Sequence, residues 1–221
     1  MSKPGPNEAA PAHDERVITG ADCIAEGTRA LIEAEPRFAK VYEATGDWPL
    51  RRRVDGYEAL SDAIIGQQVS VAAAAAIGGR VRAAGFDAPH AVLAASDEAL
   101  RACGLSRPKA RYLRALAAAD LDYGALRTAP TQEVIDALVA IPGIGRWTAE
   151  IYALFALGRA DAFPAGDLAL QEAARVMLGL DARPSEGALR RLAEPWRPWR
   201  GVAARALWAY YREVKGREGT A

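Results

Sequence analysis

The sequence has few of the residues that build disulfide frameworks or side-chain metal sites. Its 221 residues include two cysteines, Cys23 and Cys103, and two histidines, His13 and His90. The cysteines lie far apart, so they form neither a disulfide framework nor a metal site. The histidines are too isolated for a histidine-based metal site or a catalytic triad. We therefore expect a function that uses neither.

Long apolar runs are also missing. No stretch approaches the roughly 18 residues of a membrane span, and residues 1–17 lack the apolar core of a signal peptide. We expect a cytoplasmic protein with no membrane partner. The length and the 51% hydrophobic composition suit one large domain or two tightly packed lobes.

The sequence has no excess of charge of either sign. The formal net charge is zero, with 28 basic and 28 acidic residues, which is unusual for a nucleic-acid-binding protein. Basic residues nevertheless cluster in two segments: Arg107, Lys109, Arg111 and Arg114, and then Arg190, Arg191, Arg197, Arg200, Arg205, Arg212, Lys215 and Arg217. A local basic face can bind phosphates, although a solvated helix face is the favoured interpretation for any single arginine.

The hydrophobic pattern is helical along most of the chain, and no alternating strand-like run persists. We therefore predict an all-α fold with one domain over 18–215, a disordered tail over 1–17 and a short tail over 216–221. The alanines at 72–76 are interpreted as a packing surface for a neighbouring helix. The predicted helices are 21–34, 37–44, 57–65, 69–84, 97–103, 108–119, 131–140, 146–157, 168–178, 185–193 and 201–214.

The segment at 138–149 carries the clearest local signal. Pro142, Gly143 and Gly145 stand between two helical patterns, which predicts a tight turn and hence a helix-hairpin-helix. Because neither glycine has a side chain, the N–H groups of the turn and of the second helix can approach a phosphate, helped by the helix dipole. Such a hairpin holds a nucleic-acid backbone without recognising its sequence.

Several separated motifs together resemble the helix-hairpin-helix (HhH-GPD) DNA glycosylases, and in particular their 3-methyladenine DNA glycosylase II branch. The matching residues are AIIGQQVS at 63–70, GLSRPK at 104–109, IPGIGRWTA at 141–149, Asp167, and RLAEPWRPWRGVAARALW at 191–208. The resemblance implies a two-lobed helical fold in which the chain ends build one lobe and the middle builds the other. It implies no extra N-terminal β-domain, for which the chain is too short, and no iron–sulfur cluster, which needs four cysteines.

Asp167 precedes the helical pattern at 168–178, so the pattern alone favours a helix N-cap. Its place 20 residues after Trp147 matches the catalytic aspartate of the family. The resemblance therefore implies excision of a flipped, damaged base through an oxocarbenium-like sugar. The carboxylate would stabilise that positive charge and orient or deprotonate the attacking water. Capping is compatible with this role, because N–H donors would fix the carboxylate.

Trp147 stands where strand-cleaving relatives carry the lysine that forms a Schiff base. Neither Arg146 nor Thr148 can replace that lysine, so the resemblance implies a monofunctional glycosylase without lyase activity. An indole at this position offers a stacking face that suits cationic bases such as 3-methyladenine and 7-methylguanine.

The rest of the predicted substrate pocket also follows from the resemblance. Trp208 matches a second pocket tryptophan, and Ile151 stands where the best-known branch has a tyrosine, with Tyr152 next to it. A core position is the alternative for each tryptophan, and it is favoured for Trp196 and Trp199.

The resemblance places the wedge, which fills the gap left by the flipped base, at Gln68. An amide can fill the gap and hydrogen-bond the orphaned base, whereas the alternative is that Gln67 and Gln68 merely bond loose helix ends. No cofactor is required, although the backbone carbonyls of Val139, Ile141 and Ile144 match positions that hold a structural Na⁺ or K⁺ in relatives. The predicted DNA contacts are Gly143, Gly145, Arg146, Thr148, Gln68 and Lys109.

Three functions stay open at this point. The leading one is a monofunctional glycosylase for alkylated purines in base excision repair, acting on double-stranded DNA as a monomer, which in a bacterium would be nucleoid-associated. The second is a glycosylase of the same fold for hypoxanthine, ethenoadenine or uracil. The third is a non-catalytic protein that binds damaged DNA through the hairpin.

Overall fold

The computed structural model describes residues 15–218, with side chains up to 216, and its regular elements are helical. Within this part, the β pairing is limited to one isolated bridge between Val17 and Arg159. The all-α prediction is therefore confirmed. The helices are α1 (Ala21–Ala34), α2 (Arg37–Thr45), α3 (Tyr57–Gly66), α4 (Val71–Ala83), α5 (Pro89–Ala94), α6 (Asp97–Ala102), α7 (Arg107–Ala118), α8 (Tyr123–Thr128), α9 (Thr131–Val139), α10 (Arg146–Phe155), α11 (Leu168–Leu178), α12 (Glu186–Leu192) and α13 (Arg200–Glu218), with a 3₁₀ turn at Glu194–Trp196.

Local capping chemistry fixes several of these helix ends. The side chains of Ser70, Ser106 and Asp167 accept hydrogen bonds from the first turns of α4, α7 and α11. Gly179, in the left-handed conformation, ends α11. Each predicted helix is present. The six-residue helices α5 and α8 were not predicted, whereas α6, of the same length, was.

Two hydrophobic cores lie in this part of the chain. The first is built by residues before 49 and after 152, including Phe38, Trp196 and Trp199, and the second by residues 57–157. The chain ends therefore build one lobe and the middle builds the other, as predicted. Helix α10 contributes to both cores, with Leu154 in the first and Tyr152 in the second. This helix therefore lies where the lobes meet.

The predicted boundaries of the domain need correction at both ends. Residues 1–14 of the predicted tail, with His13, lie outside the described residues, but Glu15 and Val17 contact the body of the protein. The backbone N–H of Thr131 donates to the Glu15 carboxylate at 3.1 Å, and Val17 bridges to Arg159. At the other end, α13 continues to Glu218, past the predicted boundary at 215.

The alanine run is a packing surface only in part. Ala73 and Ala74 are partly buried, and α4 packs against α3. Ala72, Ala75 and Ala76 are exposed, and Val71 at the start of α4 is 88% exposed. Alanine favours a helix through its high intrinsic propensity without needing a packing partner, which explains why α4 forms with an open face.

None of the helices in residues 15–218 has the length and hydropathy that a bilayer span requires. In the same residues, no cluster of three or more histidine, cysteine, aspartate or glutamate side chains could hold a metal ion, and Cys23 and Cys103 are both free thiols. His90 is exposed.

Candidate active site

The predicted hairpin is present between α9 and α10. Gly143 has φ +95°, and a Cβ at this position would lie 2.3 Å from Cγ of Tyr112, so both the backbone and the packing require glycine. Gly145 is different, because it has φ −84° and no atom within 4 Å of a Cβ position. It is the N-cap of α10 and provides no capping side chain. Its openness leaves the first turn of α10 accessible to an external acceptor.

The loop after α3 is joined to this hairpin. Nε2 of Gln67 donates to the carbonyl of Gly143 at 2.9 Å. Gln68 is exposed, and its backbone takes a left-handed φ of +55°, which is uncommon for a residue with a side chain. The interpretation that both glutamines bond loose helix ends therefore fails for Gln68, which has no side-chain bond in the described residues, and the Gln67 bond to the hairpin was not predicted.

Lys109, which is predicted to contact DNA, also bonds within the protein. Its Nζ donates to the carbonyl of Ile65 at 2.7 Å, in the last turn of α3, and partial burial lowers the pKa of its ammonium. A cation at a helix C-terminus stabilises the dipole and satisfies a free carbonyl. Lys109 thus links α7 to α3. An ammonium has three donors, so the contact with DNA stays a prediction.

Asp167 is the N-cap of α11, as predicted. Its Oδ1 accepts hydrogen bonds from the N–H groups of Ala169 and Leu170 at 2.9 and 3.1 Å. Its Oδ2 accepts a hydrogen bond from Nε1 of Trp147 at 3.0 Å. The sequence did not predict that last contact. It brings the two residues that carry the predicted chemistry together and fixes both carboxylate oxygens.

Three of the four predicted pocket residues line two small cavities, and Trp147 lines neither of them. Trp147, Ile151 and Phe155 are four residues apart on α10 and therefore share one face. Ile151 and Tyr152 line one small cavity, and Trp208 lines another of about 190 Å³, in which it stacks on Phe155 at 5.7 Å between ring centroids. Trp147 is 47% exposed, which leaves its ring available.

Tyr152 is a wall residue rather than a free polar group. It is buried, its hydroxyl accepts a hydrogen bond from the N–H of Gly56 at 3.1 Å, and desolvation by burial raises the pKa of the phenol. Its place in a substrate pocket stays a prediction.

Two side chains predicted to contact DNA are buried or paired. Thr148 is buried, so its side chain offers little surface to DNA. Nε of Arg146 donates to Glu150 at 3.0 Å, while 45% of its side chain stays exposed.

The predicted cation position involves a carbonyl that already has a partner. The N–H of Ile144 donates to the carbonyl of Ile141 at 3.0 Å. A carbonyl has a second lone pair, so this bond is compatible with a cation ligand. The cation remains a prediction.

Most of the C-terminal arginines stabilise the fold. Arg205 is 1% exposed, and burial lowers the pKa of its guanidinium to about 10. Arg197 and Arg200 pair with Asp161 at 2.7 Å. Trp196 and Trp199 are buried in the first core, which confirms the interpretation as core aromatics.

Sequence comparisons with known proteins identify the family of this chain. Residues 62–198 match the HhH-GPD superfamily of base excision DNA repair proteins. The chain is 33% identical over 208 residues to DNA-3-methyladenine glycosylase 2 of Escherichia coli, covering 85% of this chain and 71% of that protein. It spans 60% of the alkylbase DNA glycosidase-like protein mag2 of Schizosaccharomyces pombe, at 32% identity, and 41% of the probable bifunctional transcriptional activator/DNA repair enzyme AlkA of Mycobacterium tuberculosis, at 34% identity.

Solved structures agree with the sequence comparison. A DNA-3-methyladenine glycosidase from Bacillus halodurans superposes with a TM-score of 0.78 and 32% identity, covering 86% of this chain and 91% of that one. The 3-methyladenine DNA glycosylase Mag1 of S. pombe, in complex with abasic DNA, superposes with a TM-score of 0.70 and 28% identity over 83% of this chain and 95% of that one. The chain belongs to the HhH-GPD superfamily of base excision DNA repair proteins, within its 3-methyladenine DNA glycosylase branch.

Proposed function

We propose that this chain is a monofunctional DNA glycosylase that releases alkylated purines of the 3-methyladenine and 7-methylguanine type from duplex DNA by hydrolysis. The contact between Trp147 and Asp167 carries the proposal, because it joins an exposed aromatic ring and an oriented carboxylate within one site. The names of relatives from E. coli and S. pombe, which describe 3-methyladenine glycosylases, support this substrate class.

The hairpin supports a backbone grip on the DNA. In the described residues, the N–H groups of Gly143 and Gly145 donate to no backbone acceptor. These donors and the positive end of the α10 dipole favour one phosphate of the damaged strand. Gln68, which is exposed in the adjoining loop, would enter the duplex as the wedge and pair with the orphaned base.

Asp167 supplies the chemistry in this proposal. As the N-glycosidic bond breaks, its electron pair leaves with the base and the sugar gains oxocarbenium character. A fixed carboxylate next to the anomeric carbon stabilises that positive charge. Water then adds to the anomeric carbon and loses a proton to Asp167 or to solvent, which leaves an abasic site. A methylated purine leaves readily because it already carries a positive charge, so no strong general acid is required.

The monofunctional part of the proposal rests on Trp147. An indole nitrogen is a donor only and cannot form an imine with the sugar, and Arg146 and Thr148 beside it lack a nucleophilic amine. Hydrolysis is therefore the one route that these residues support.

A glycosylase for a neutral lesion such as hypoxanthine is the second candidate, and a specific observation favours it. Arg53 lies over the ring of Phe155 at 5.6 Å, and Arg51 and Arg212 line the cavity of Trp208. These guanidinium groups would repel a cationic base and donate to a carbonyl edge. The exposed ring of Trp147, next to a carboxylate, favours a cationic base, and we give it more weight because it is nearer the proposed reacting centre.

Identification of the released bases tests the proposal. Duplex DNA treated with a methylating agent should release 3-methyladenine and 7-methylguanine on incubation with the protein, measured by mass spectrometry of the free bases. Duplexes with single hypoxanthine, ethenoadenine or uracil bases should react more slowly relative to their uncatalysed rates. Release of hypoxanthine alone would replace the leading candidate by the second, and release of no base would favour a non-catalytic binding protein.

A further inference from the structure

A buried carboxylate lies one turn behind the proposed catalytic pair. Glu150 is three residues after Trp147 on α10 and is only 1% exposed. Two guanidinium groups compensate its burial, since Arg146 donates to Oε1 at 3.0 Å and Arg190 donates to the same atom at 2.5 Å. A carboxylate that is buried without such partners would cost several kcal/mol, so the geometry around it is strictly constrained.

Arg190 connects this carboxylate to the segment that carries Asp167. Its Nη1 donates to the carbonyl of Phe163 at 3.3 Å, while Nη2 also donates to Glu186 at 2.8 Å. One planar guanidinium therefore joins α10, α12 and the first residue of the loop 163–167, which we call the aspartate loop. A lysine could not reach all three acceptors, because its ammonium lacks the fork geometry of arginine.

The rest of the aspartate loop has little conformational freedom. Nε2 of Gln171 donates to the carbonyl of Ala165 at 2.9 Å, and a Cβ on Gly166 would lie 3.2 Å from Oε2 of Glu186. The loop is thus held by Arg190 at its start and by α11 at its end. The same helix α10 presents Trp147 to Asp167 and Glu150 to Arg190, so the two contacts share one rigid element.

We propose that Glu150 and Arg190 are positioning residues that hold the aspartate loop against α10, so that Asp167 and Trp147 keep their relative positions during base excision. This inference rests on the proposed glycosylase function. Arg190, Arg197 and Asp161 line one cavity of about 440 Å³. Arg197 pairs with Asp161 and Glu194, and in the described residues these ion pairs do not include the aspartate loop. They provide a matched comparison.

The experiment compares Arg190→Lys with Arg197→Lys. Both keep their charge and their place on the same cavity, but only the first loses a bond to the aspartate loop. Two further variants change the carboxylates that pair with Arg190. Glu150→Gln keeps the shape of the side chain, and Glu186→Gln changes a side chain that is 47% exposed. If Arg190→Lys does not fold, at least one of Glu150→Gln and Glu186→Gln is expected to fold.

Three quantities are measured for each variant: the single-turnover rate of base release, the dissociation constant for a duplex with an abasic-site analogue, and the indole N–H resonances in a ¹⁵N spectrum. The protein has five tryptophans, and a Trp147→Phe sample assigns the resonance of Trp147. The indole resonance reports the hydrogen bond to Asp167 directly and without DNA.

Arg190→Lys should lower the release rate by about 10- to 100-fold, because a displacement of about 1 Å at a reacting group costs about 100-fold. Its dissociation constant should stay within about threefold of the wild type, since the hairpin is untouched. Its Trp147 resonance should shift, and Arg197→Lys should change none of the three quantities.

A folded Arg190→Lys protein with the wild-type rate and an unshifted Trp147 resonance would overturn the positioning role. Equal losses in Arg190→Lys and Arg197→Lys would assign the network to general stability. If the wild type released no base, the proposed function would fail, but the shift of the Trp147 resonance would still decide whether Arg190 holds the aspartate loop.

Discussion

The two glycines of the hairpin should respond oppositely to substitution. At Gly143, alanine would place a methyl group 2.3 Å from the ring of Tyr112 and would require an L-residue at φ +95°. Overpacking costs about 1–3 kcal/mol and a left-handed backbone about 1–2 kcal/mol, so we expect Gly143→Ala to lose about 2–5 kcal/mol of folding free energy. Gly145→Ala meets no atom within 4 Å, so it should lose at most about 1 kcal/mol through weaker capping.

For DNA affinity we expect the larger loss on substitution of Gly145. Gly145→Leu puts bulk where a phosphate would approach, and the loss of one hydrogen bond to a charged group is worth about 1.5–3 kcal/mol, which corresponds to a dissociation constant about 10- to 100-fold higher. Undamaged and abasic duplexes should lose equally, because the hairpin contacts the backbone and no base.

Chemical denaturation gives the folding free energies, and fluorescence anisotropy with labelled duplexes gives the dissociation constants. Wild-type affinity in a folded Gly145→Leu protein would remove the hairpin from the DNA interface. A loss confined to damaged DNA would reassign it to lesion recognition. Full stability in Gly143→Ala would contradict the packing argument on Tyr112.

Two further predictions concern Trp147. Trp147→Phe keeps an aromatic face but removes the donor to Asp167, so the single-turnover release of all lesions should slow by about fivefold to tenfold. Trp147→Ala should lose about 0.5–2 kcal/mol more of transition-state stabilisation, on cationic lesions only. Equal losses on cationic and neutral lesions in Trp147→Ala would show that the ring only shapes the pocket. Borohydride should trap no covalent protein–DNA adduct at any lesion, because the site has no amine in the position of Trp147; a trapped adduct, seen as a shifted band in a denaturing gel, would disprove the monofunctional assignment.

The sequence predicted the parts of the fold that depend on local pattern. Helices α1 and α11 were predicted with their observed ends, because a break before Ala21 and the cap at Asp167 are chemical signals within a few residues of the ends. The interleaved lobes followed from the resemblance. The boundary near Glu15 was missed, because Glu15 contacts Thr131, more than 100 positions away. Helix α13 also runs to Glu218, past the predicted boundary.

Side-chain partners were the least predictable part of the candidate site. Lys109 lies in a basic segment, and nothing in the neighbouring sequence reveals that the carbonyl of Ile65 accepts a hydrogen bond from its ammonium. The bond from Gln67 to Gly143 likewise joins residues 76 positions apart. For Glu150 the sequence contains one usable signal: it lies four residues after Arg146 on a helix, a spacing that favours an ion pair. Its bond to Arg190 depends on the tertiary fold.

The most direct test of the catalytic assignment replaces Asp167 by asparagine. Asp167→Asn keeps the shape and one carbonyl oxygen for the N–H groups of α11, so the fold and the binding of an abasic-site analogue should stay close to wild type. Base release should fall by about 100-fold or more, because a charge that acts on the transition state contributes a few kcal/mol. The measurement is single-turnover release of 7-methylguanine from one duplex by both proteins. A loss smaller than about tenfold in the Asn variant would contradict the catalytic role of Asp167.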